Sequence, residues 1–425
     1  MKPTENTAVK KVVVLGAGAV GVCTALYLQR DGHEVTLIDR DDPGSGASSG
    51  NAGLIQCGSV IPVASPSTLR ALPRMLLDPN QPLVIRWRHV PTLLPYLLRF
   101  LVESSPARVA HNSRALATII PLAYDKGYRP LVDAASLHGM IRNGGELQIF
   151  ETEAAFRGAE ATRQMRRARG VRVEVLNAAQ VRELEPALSE SVRHGALLPD
   201  AYQTVDPRSF VAALAGHFVA NGGRFERATL EDLTVDGPQS ITVRTDRGTV
   251  HVDEAVVALG AFSKSWVKRL GEKVPLDSER GYHLMLPNPG VTLNRAVISG
   301  EYRFALSPIG GGIRLAGTAE LACVGAEPNY DRARRLLPLA KRLLPGLSGE
   351  GQTMWMGHRP STPDSLPVIG RSMRHDNIYY AFGHGHSGLT LGGMTGSLIA
   401  DLASGRTPAI DLAPFSIARF DKRSD

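Results

Sequence analysis

The chain has 425 residues, 43% of them hydrophobic and 21% charged, a balance that excludes a disordered or fibrous protein and predicts a globular one of two or three domains. Its three cysteines, Cys23, Cys57 and Cys323, lie far apart with no C-x-x-C pair, which excludes a disulfide framework or a zinc site and points to a reducing compartment. With 48 Lys and Arg against 41 Asp and Glu, the net charge of +7 is the one feature that invites a nucleic-acid or anionic-membrane partner.

In chain order the first pattern is "KVVVL" at 11–15, a β-branched strand, followed at once by Gly16, Gly18 and Gly21 in G-x-G-x-x-G spacing. Val22, Ala25, Leu26 and Leu28 then repeat with helical period, and "GHEVTLIDR" supplies a second strand ending at Asp39. The spaced glycines distinguish this unit from a signal peptide or short membrane span, which the uncharged run 12–29 otherwise resembles by length. Strand, glycine turn, helix and strand together predict a dinucleotide site. Gly16 makes the sharp turn, Gly18 lets backbone approach a pyrophosphate, and Gly21 lets helix and strand close up. Asp39 stands where a carboxylate accepts hydrogen bonds from ribose hydroxyls. The unit alone does not choose between FAD and a nicotinamide dinucleotide.

Further segments follow. The small-residue stretch "GSGASSGNAGLI" at 44–55 can wrap closely around a pyrophosphate. Residues 62–114 carry repeated prolines and apolar clusters; within them 77–101 reads as a packing or subunit-contact segment, with a membrane-surface segment as the alternative. The basic run "RQMRRARGVR" at 163–172 has no interleaved aromatics and reads as the solvated face of a surface helix. At 253–266 a buried strand runs into Gly260 and a polar turn. The stretch 274–321 alternates like antiparallel strands, with 310–312 as a hairpin turn and no second nucleotide site. Near the end, "NIYYAFGHGHSGLTLGGMTGSLIADL" predicts a strand, a glycine-histidine loop and a helix beginning around Leu391. That helix N-terminus can stabilise negative charge on a flavin ring.

These motifs, with "VLNAAQVRELEPAL" and "GHRPSTPDSLPVIG", resemble the FAD-dependent D-amino-acid dehydrogenase and glycine oxidase group of the D-amino-acid oxidase-like family, over nearly the whole chain. The wording around "RGYHL" and "GHRPSTPDSLPVIG" is most similar to dehydrogenases of D-hydroxyproline-like imino acids. The resemblance implies FAD contacts at Gly16, Gly18, Ala19, Val20, Gly21, Asp39, Arg40, Ser48, Ser49, Asn51, Ala52, Gly53, Leu230, Gly260 and Trp266. It implies further contacts along His384, Gly385, His386, Ser387, Gly388, Leu389 and Thr390. Sarcosine-type relatives hold FAD through a cysteine near the segment that here reads "MGHRPSTPD"; none stands there, so the flavin is expected to be noncovalent.

Because the nucleotide motifs recur at the start, middle and end, the expected fold is α/β plus α+β. A discontinuous Rossmann-type FAD domain (1–75, 175–270 and 355–425) would carry an inserted antiparallel-sheet substrate domain (76–174 and 271–354). Arg359, stiffened by flanking prolines, can hold a substrate carboxylate with a bidentate fork, the role that the resemblance implies for this position. The alternative is an arginine paired with Asp364 or capping a helix. Tyr282, His283 and Tyr302 are expected in strands that roof the flavin, and His384 and His386 approach it through their loop.

No separate nicotinamide fold is present, so the substrate itself is expected to reduce the flavin by hydride transfer from Cα to N5, with no metal. The expected partners are a small amino or imino acid and a quinone or other electron carrier, with no nucleic acid. Such a protein would be cytoplasmic, with any membrane contact peripheral and at the inner face. The competing readings are an oxygen-using glycine or sarcosine oxidase, a tRNA-modifying flavoenzyme and a non-catalytic FAD-holding subunit.

Overall fold

The run at 11–15 forms strand β1, Lys11–Leu15, buried at every position but the first, as a parallel strand covered on both faces must be. The computed structural model describes residues 9–70, 83–86 and 89–421. Helix α1, Ala19–Arg30, follows, and then strand β2, Glu34–Asp39, which pairs in parallel with β1. On its other edge β1 pairs in parallel with Glu254–Val257. The six-stranded sheet runs Arg224–Arg227, β2, β1, Glu254–Val257, Ile378–Phe382, Val368–Arg371, so distant parts of the chain build one layer, as the recurring motifs predict. Only its last pair is antiparallel.

One face of this sheet is covered by α1, the helix Pro207–Ala220 and helix α2, Gly388–Ala403. The other packs against a three-stranded antiparallel sheet built from Leu230–Gly237, Ser240–Thr245 and Gly248–Val252. Helices α1 and α2 touch backbone to backbone: a Cβ on Gly396 would lie 2.7 Å from the Cys23 carbonyl oxygen. Helix α2 starts at Gly388, ahead of the expected Leu391. Helix propensity disfavours its glycines, but packing against α1 outweighs that penalty.

The second sheet has ten strands and is mostly antiparallel. At its centre lies β3, Asp277–Leu286. The hairpin of β4, Ala305–Ile309, and β5, Gly312–Ala316, turns at Gly310 (φ 58°) and Gly311 (φ 81°), where the alternation predicts it. Strand β5 pairs with one edge of β3, and strand β6, Thr353–Ser361, pairs antiparallel along the other. Beneath lie Leu147, Leu284, Leu306 and Leu315 with the helix Leu336–Leu343.

The strands Glu174–Asn177 and His194–Leu198 also join this sheet, through Glu146–Phe150, although the sequence reading assigns 175–270 to the nucleotide-binding unit. Strand β6 likewise crosses the expected boundary at 355. Local patterns identify a strand, whereas its partner is set by pairing over long sequence distances.

The basic run is not a solvated face. Arg163 is only 1% exposed, lies 4.0 Å over the Phe156 ring and donates to Glu160 and the Phe156 carbonyl. Arg166 donates to Gln148, and Arg169 to Ser113 and the Ala110 carbonyl. Guanidinium groups used in this way are tied to neighbouring segments, which weakens a nucleic-acid reading. Within the stretch 77–101, residues 77–82 and 87–88 lie outside the described residues, as do 1–8, 71–76 and 422–425. The helix Val90–Glu103 buries Leu93 and Tyr96 but exposes Leu94, Leu98, Leu101 and Val102.

Candidate active site

The carboxyl ends of β1 and β2 and the start of α1 open onto a cavity of about 1060 Å³, closed on the far side by the antiparallel sheet. Gly16 (φ 108°), Gly18, Ala19 and Val20 line it. Gly21 does not: it lies behind the turn, where a Cβ would sit 1.7 Å from the Gly16 carbonyl oxygen. A Cβ on Gly18 would meet only Ser48 Oγ, at 3.5 Å, so this backbone is open to a close ligand. Asp39 ends β2 at the cavity wall, its Oδ2 accepting from Ala17 N at 2.6 Å and its Oδ1 from Asp41 N at 3.0 Å. Arg40 also lines the cavity, with its guanidinium 4.6 Å over the Phe262 ring.

The loop at 44–53 enters the cavity through Ser48, Asn51 and Ala52. Ser48 Oγ accepts the Ala19 N–H at 3.0 Å, and Asn51 Oδ1 accepts from Gly53 N at 2.8 Å. Ser49 and Gly53 themselves stand outside the lining. Two side chains of the antiparallel sheet pin this loop. Arg314 donates to the Ser49 and Asn51 carbonyls at 2.8 and 2.6 Å, and His283 Nδ1 bonds the Gly50 carbonyl at 3.2 Å.

Leu230, Gly260 and Trp266 line the cavity, as do His384, Gly385, His386, Gly388 and Leu389. Ser387 and Thr390 do not; Thr390 Oγ1 accepts from Gln56 N at 3.1 Å and donates to the Leu54 carbonyl. His384 shares a 2.9 Å hydrogen bond with Thr395 inside α2, and burial pushes its imidazole down to about 3, so it is neutral. Its ring is a structural anchor of the loop.

On the sheet side, Arg359 lines the cavity in β6. Its Nη1 donates to Glu279 Oε1 at 3.1 Å and to the Thr318 carbonyl at 2.9 Å. Asp364 is not its partner; that carboxylate takes Arg419 Nε at 2.8 Å. The guanidinium lies over β3 where Gly281 leaves room, since a Cβ there would come 2.3 Å from Nη2. His386 Nε2 meets the same Glu279 oxygen at 2.8 Å. Burial alone would raise the Glu279 carboxyl, but His386, when protonated, and Arg359 together hold it down at about 2.

Glu279 and Arg303 escape the sequence reading. Glu279 had a signal: a carboxylate two residues before Gly281 in a strand shares its face. Two expected contacts need correction. His283 is not on the cavity; it stacks on Trp355 at a ring distance of 5.2 Å, and burial lowers it to about 3. Tyr302 stands in the turn between Ala296–Ser299 and β4, packed against the leucine core and outside the lining. Tyr282 borders the cavity, but its hydroxyl donates to Glu320 at 2.5 Å and accepts from Asn329 N. Alternation along a strand identifies two faces, but how far along the strand a covering loop reaches, here 44–53 over His283, is not carried by the pattern.

Residues 11–402 match the family described as "DAO: FAD dependent oxidoreductase". The chain is 38% identical over 421 residues to a "D-amino-acid oxidase" of Bradyrhizobium diazoefficiens, covering 97% of this chain and 99% of that protein. It is 34% identical to a "D-amino acid dehydrogenase" of Vibrio cholerae, covering 97% of this chain and all of that one. Among solved structures, a glycine oxidase from Geobacillus kaustophilus superposes with a TM-score of 0.73 at 24% identity, covering 97% of this chain and 99% of that one. An L-proline dehydrogenase from P. horikoshii gives 0.69 at 20%, covering 98% of each. At these identities the two structures bear on the fold, which they share with this chain.

Proposed function

Because this chain belongs to the FAD-dependent oxidoreductase family, we propose that it oxidises D-amino or cyclic imino acids, with Arg359 as the anchor of the substrate carboxylate. One observation carries the reading: a fork-shaped cation, steadied by Glu279 and the Thr318 carbonyl, lines the same cavity onto which the glycine turn opens. The names of the relatives, D-amino-acid oxidase and D-amino acid dehydrogenase, support the D configuration.

The residues present fit FAD. The open backbone at Gly18, the Asp39 carboxylate at the wall and a cavity at the top of the usual ligand range of roughly 300–1,000 Å³ leave room for a dinucleotide beside a small acid. Gly16, Gly18, Ala19 and Ser48 would hold the pyrophosphate side, Asp39 and Arg40 the ribose and adenine side, and Gly260, Trp266 and the loop from His384 to Leu389 the remainder. Gly21, Ser49, Gly53, Ser387 and Thr390 support these contacts from behind. Bound there, FAD supplies the two-electron acceptor for the Cα hydrogen. The protein binds the carboxylate, orients Cα and excludes water.

The flavin is held without a covalent link, so about one FAD per chain should be released into solution by acid. Asp39→Ala should lose FAD on gel filtration while wild type keeps it. The variant forfeits charge-assisted bonds to the ribose, worth about 1.5–3 kcal/mol each, and frees the Ala17 N–H that orders the glycine turn. Colour that stays with precipitated protein, or a variant that keeps its full FAD content, would count against the corresponding half of this assignment.

A D-proline or D-hydroxyproline type substrate keeps its support in the wording around Gly281 and Arg359 and loses the expected Tyr302 contact. Electron delivery to a membrane quinone is favoured by the helix Val90–Glu103, whose Leu97, Phe100 and Leu101 line the cavity while Leu94, Leu98 and Val102 face outward. Contact with a membrane would be peripheral: among the described residues no helix is long and apolar enough to cross one.

The test is flavin bleaching under nitrogen with D- and L-proline, cis-4-hydroxy-D-proline, D-alanine, sarcosine and glycine, followed by reoxidation with a quinone, a dye or air. D-enantiomers should bleach faster than L-proline, sarcosine or glycine, and a quinone should reoxidise the flavin faster than oxygen. Fastest bleaching by glycine or sarcosine, with rapid hydrogen peroxide release in air, would establish the oxidase reading instead.

A further inference from the structure

A second guanidinium lines the cavity. Arg303 lies just before β4, and among the described residues its side chain has no hydrogen-bond, ion-pair or ring partner. Its backbone is held at φ 55°, a region that non-glycine residues rarely occupy and that is often retained at functional sites. The residue is exposed overall, yet desolvation at the cavity wall, with no carboxylate against it, lowers its guanidinium from the usual arginine range. By contrast, Arg280 donates to four carbonyls, Arg314 holds the loop at 44–53, and Arg163 pairs with Glu160.

Register places Arg303 relative to Arg359. Ala316 of β5 is opposite His283 on one side and Ala305 on the other. Just beyond these paired residues, Gly281, Thr318 and Arg303 lie near one another. The Tyr282 N–H to Thr318 Oγ1 bond of 3.0 Å supports this placement, as does the Arg303 carbonyl oxygen, 2.9 Å from where a Gly317 Cβ would sit. Glu279, Gly281, Thr318 and Arg303 all line the cavity. The Arg359 guanidinium rests over Gly281, so the Arg303 backbone lies about two strand spacings away, ~10 Å. One cation is steadied by a carboxylate and the other is uncompensated, with space between them.

We propose that Arg303 is a specificity residue that receives an anionic group at the far end of the substrate, making D-amino acids with an acidic side chain preferred substrates of this cavity. The proposal rests on the reading that Arg359 binds the α-carboxylate. With that end fixed, a side chain directed toward β4 meets Arg303. A carboxylate there gains a charge-assisted pair with a cavity-lining guanidinium that has no other partner among the described residues, whereas an amide or alkyl group gains none.

The test uses the purified holoenzyme with a dye acceptor and compares kcat/KM for D-glutamate, D-glutamine, D-aspartate, D-asparagine and D-alanine. Wild type should prefer each acid over its amide by about 10- to 100-fold. Arg303→Asn, chosen because asparagine tolerates positive φ, should keep its FAD and bring the acid-to-amide ratio to about one. Arg303→Lys should restore part of the preference. A wild-type ratio at or below one, or a ratio unchanged in Arg303→Asn, would overturn the proposal, and loss of FAD from that variant would reassign Arg303 to the cofactor. Bleaching by D-alanine but not by D-glutamate would remove the side-chain reading and leave the proposed function standing. Failure of every carboxylate substrate would remove both.

Discussion

Arg359→Lys is expected to keep FAD and to lose roughly 10- to 150-fold in kcat/KM for a D-amino or imino acid, the equivalent of about 1.5–3 kcal/mol of transition-state binding. Lysine preserves a charge for Glu279 to pair with, so β3 and β6 should stay joined and the fold intact. What it lacks is the planar fork: one edge of the arginine is occupied by Glu279 and the Thr318 carbonyl, and the other is what a substrate carboxylate would meet. An ammonium group placed between the same partners offers no second parallel N–H pair. Steady-state kinetics with a dye acceptor, alongside the flavin absorbance, check the outcome. Kinetics unchanged from wild type would take Arg359 out of the substrate site, and a colourless variant would make its role structural.

Glu279→Gln is expected to lower both activity and stability. The carboxylate accepts from Arg359 and His386 at one oxygen and lies within 3.4 Å of the Ser361 hydroxyl at the other, so its amide leaves a partly buried guanidinium without its counter-charge. The Glu279 pKa, held at about 2 against roughly 4.3 in an unfolded chain, corresponds to about 3 kcal/mol favouring the folded state. For a depressed carboxyl this contribution is complete above the unfolded pKa and is lost as pH falls toward the folded one. The stability gap between wild type and Glu279→Gln, from urea unfolding, should therefore narrow as pH falls below about 4.3. A gap that widens below that pH would contradict this account.

The half of the candidate site built on the glycine turn was legible in the sequence, because its information is contiguous. A buried β-branched strand, glycines at Gly16, Gly18 and Gly21, and an acidic strand end at Asp39 are dictated by backbone sterics and by the charge of the expected ligand. All of these act within thirty residues. The hairpin at Gly310 and Gly311 was legible for the same reason: positive φ is a local demand. Tertiary structure alone decided the substrate half. Arg359 and Glu279 are 80 residues apart and meet only because β6 pairs with β3 in one register; a slip of β6 by one residue would turn Arg359 to the opposite face from Glu279. His283 shares the face of Glu279 and Gly281 but is covered by the loop at 44–53 and Trp355, and Tyr302 is left in an outer turn. The partners of a strand depend on which distant segment completes its hydrogen bonds and buries its other face, and no local residue pattern carries that information.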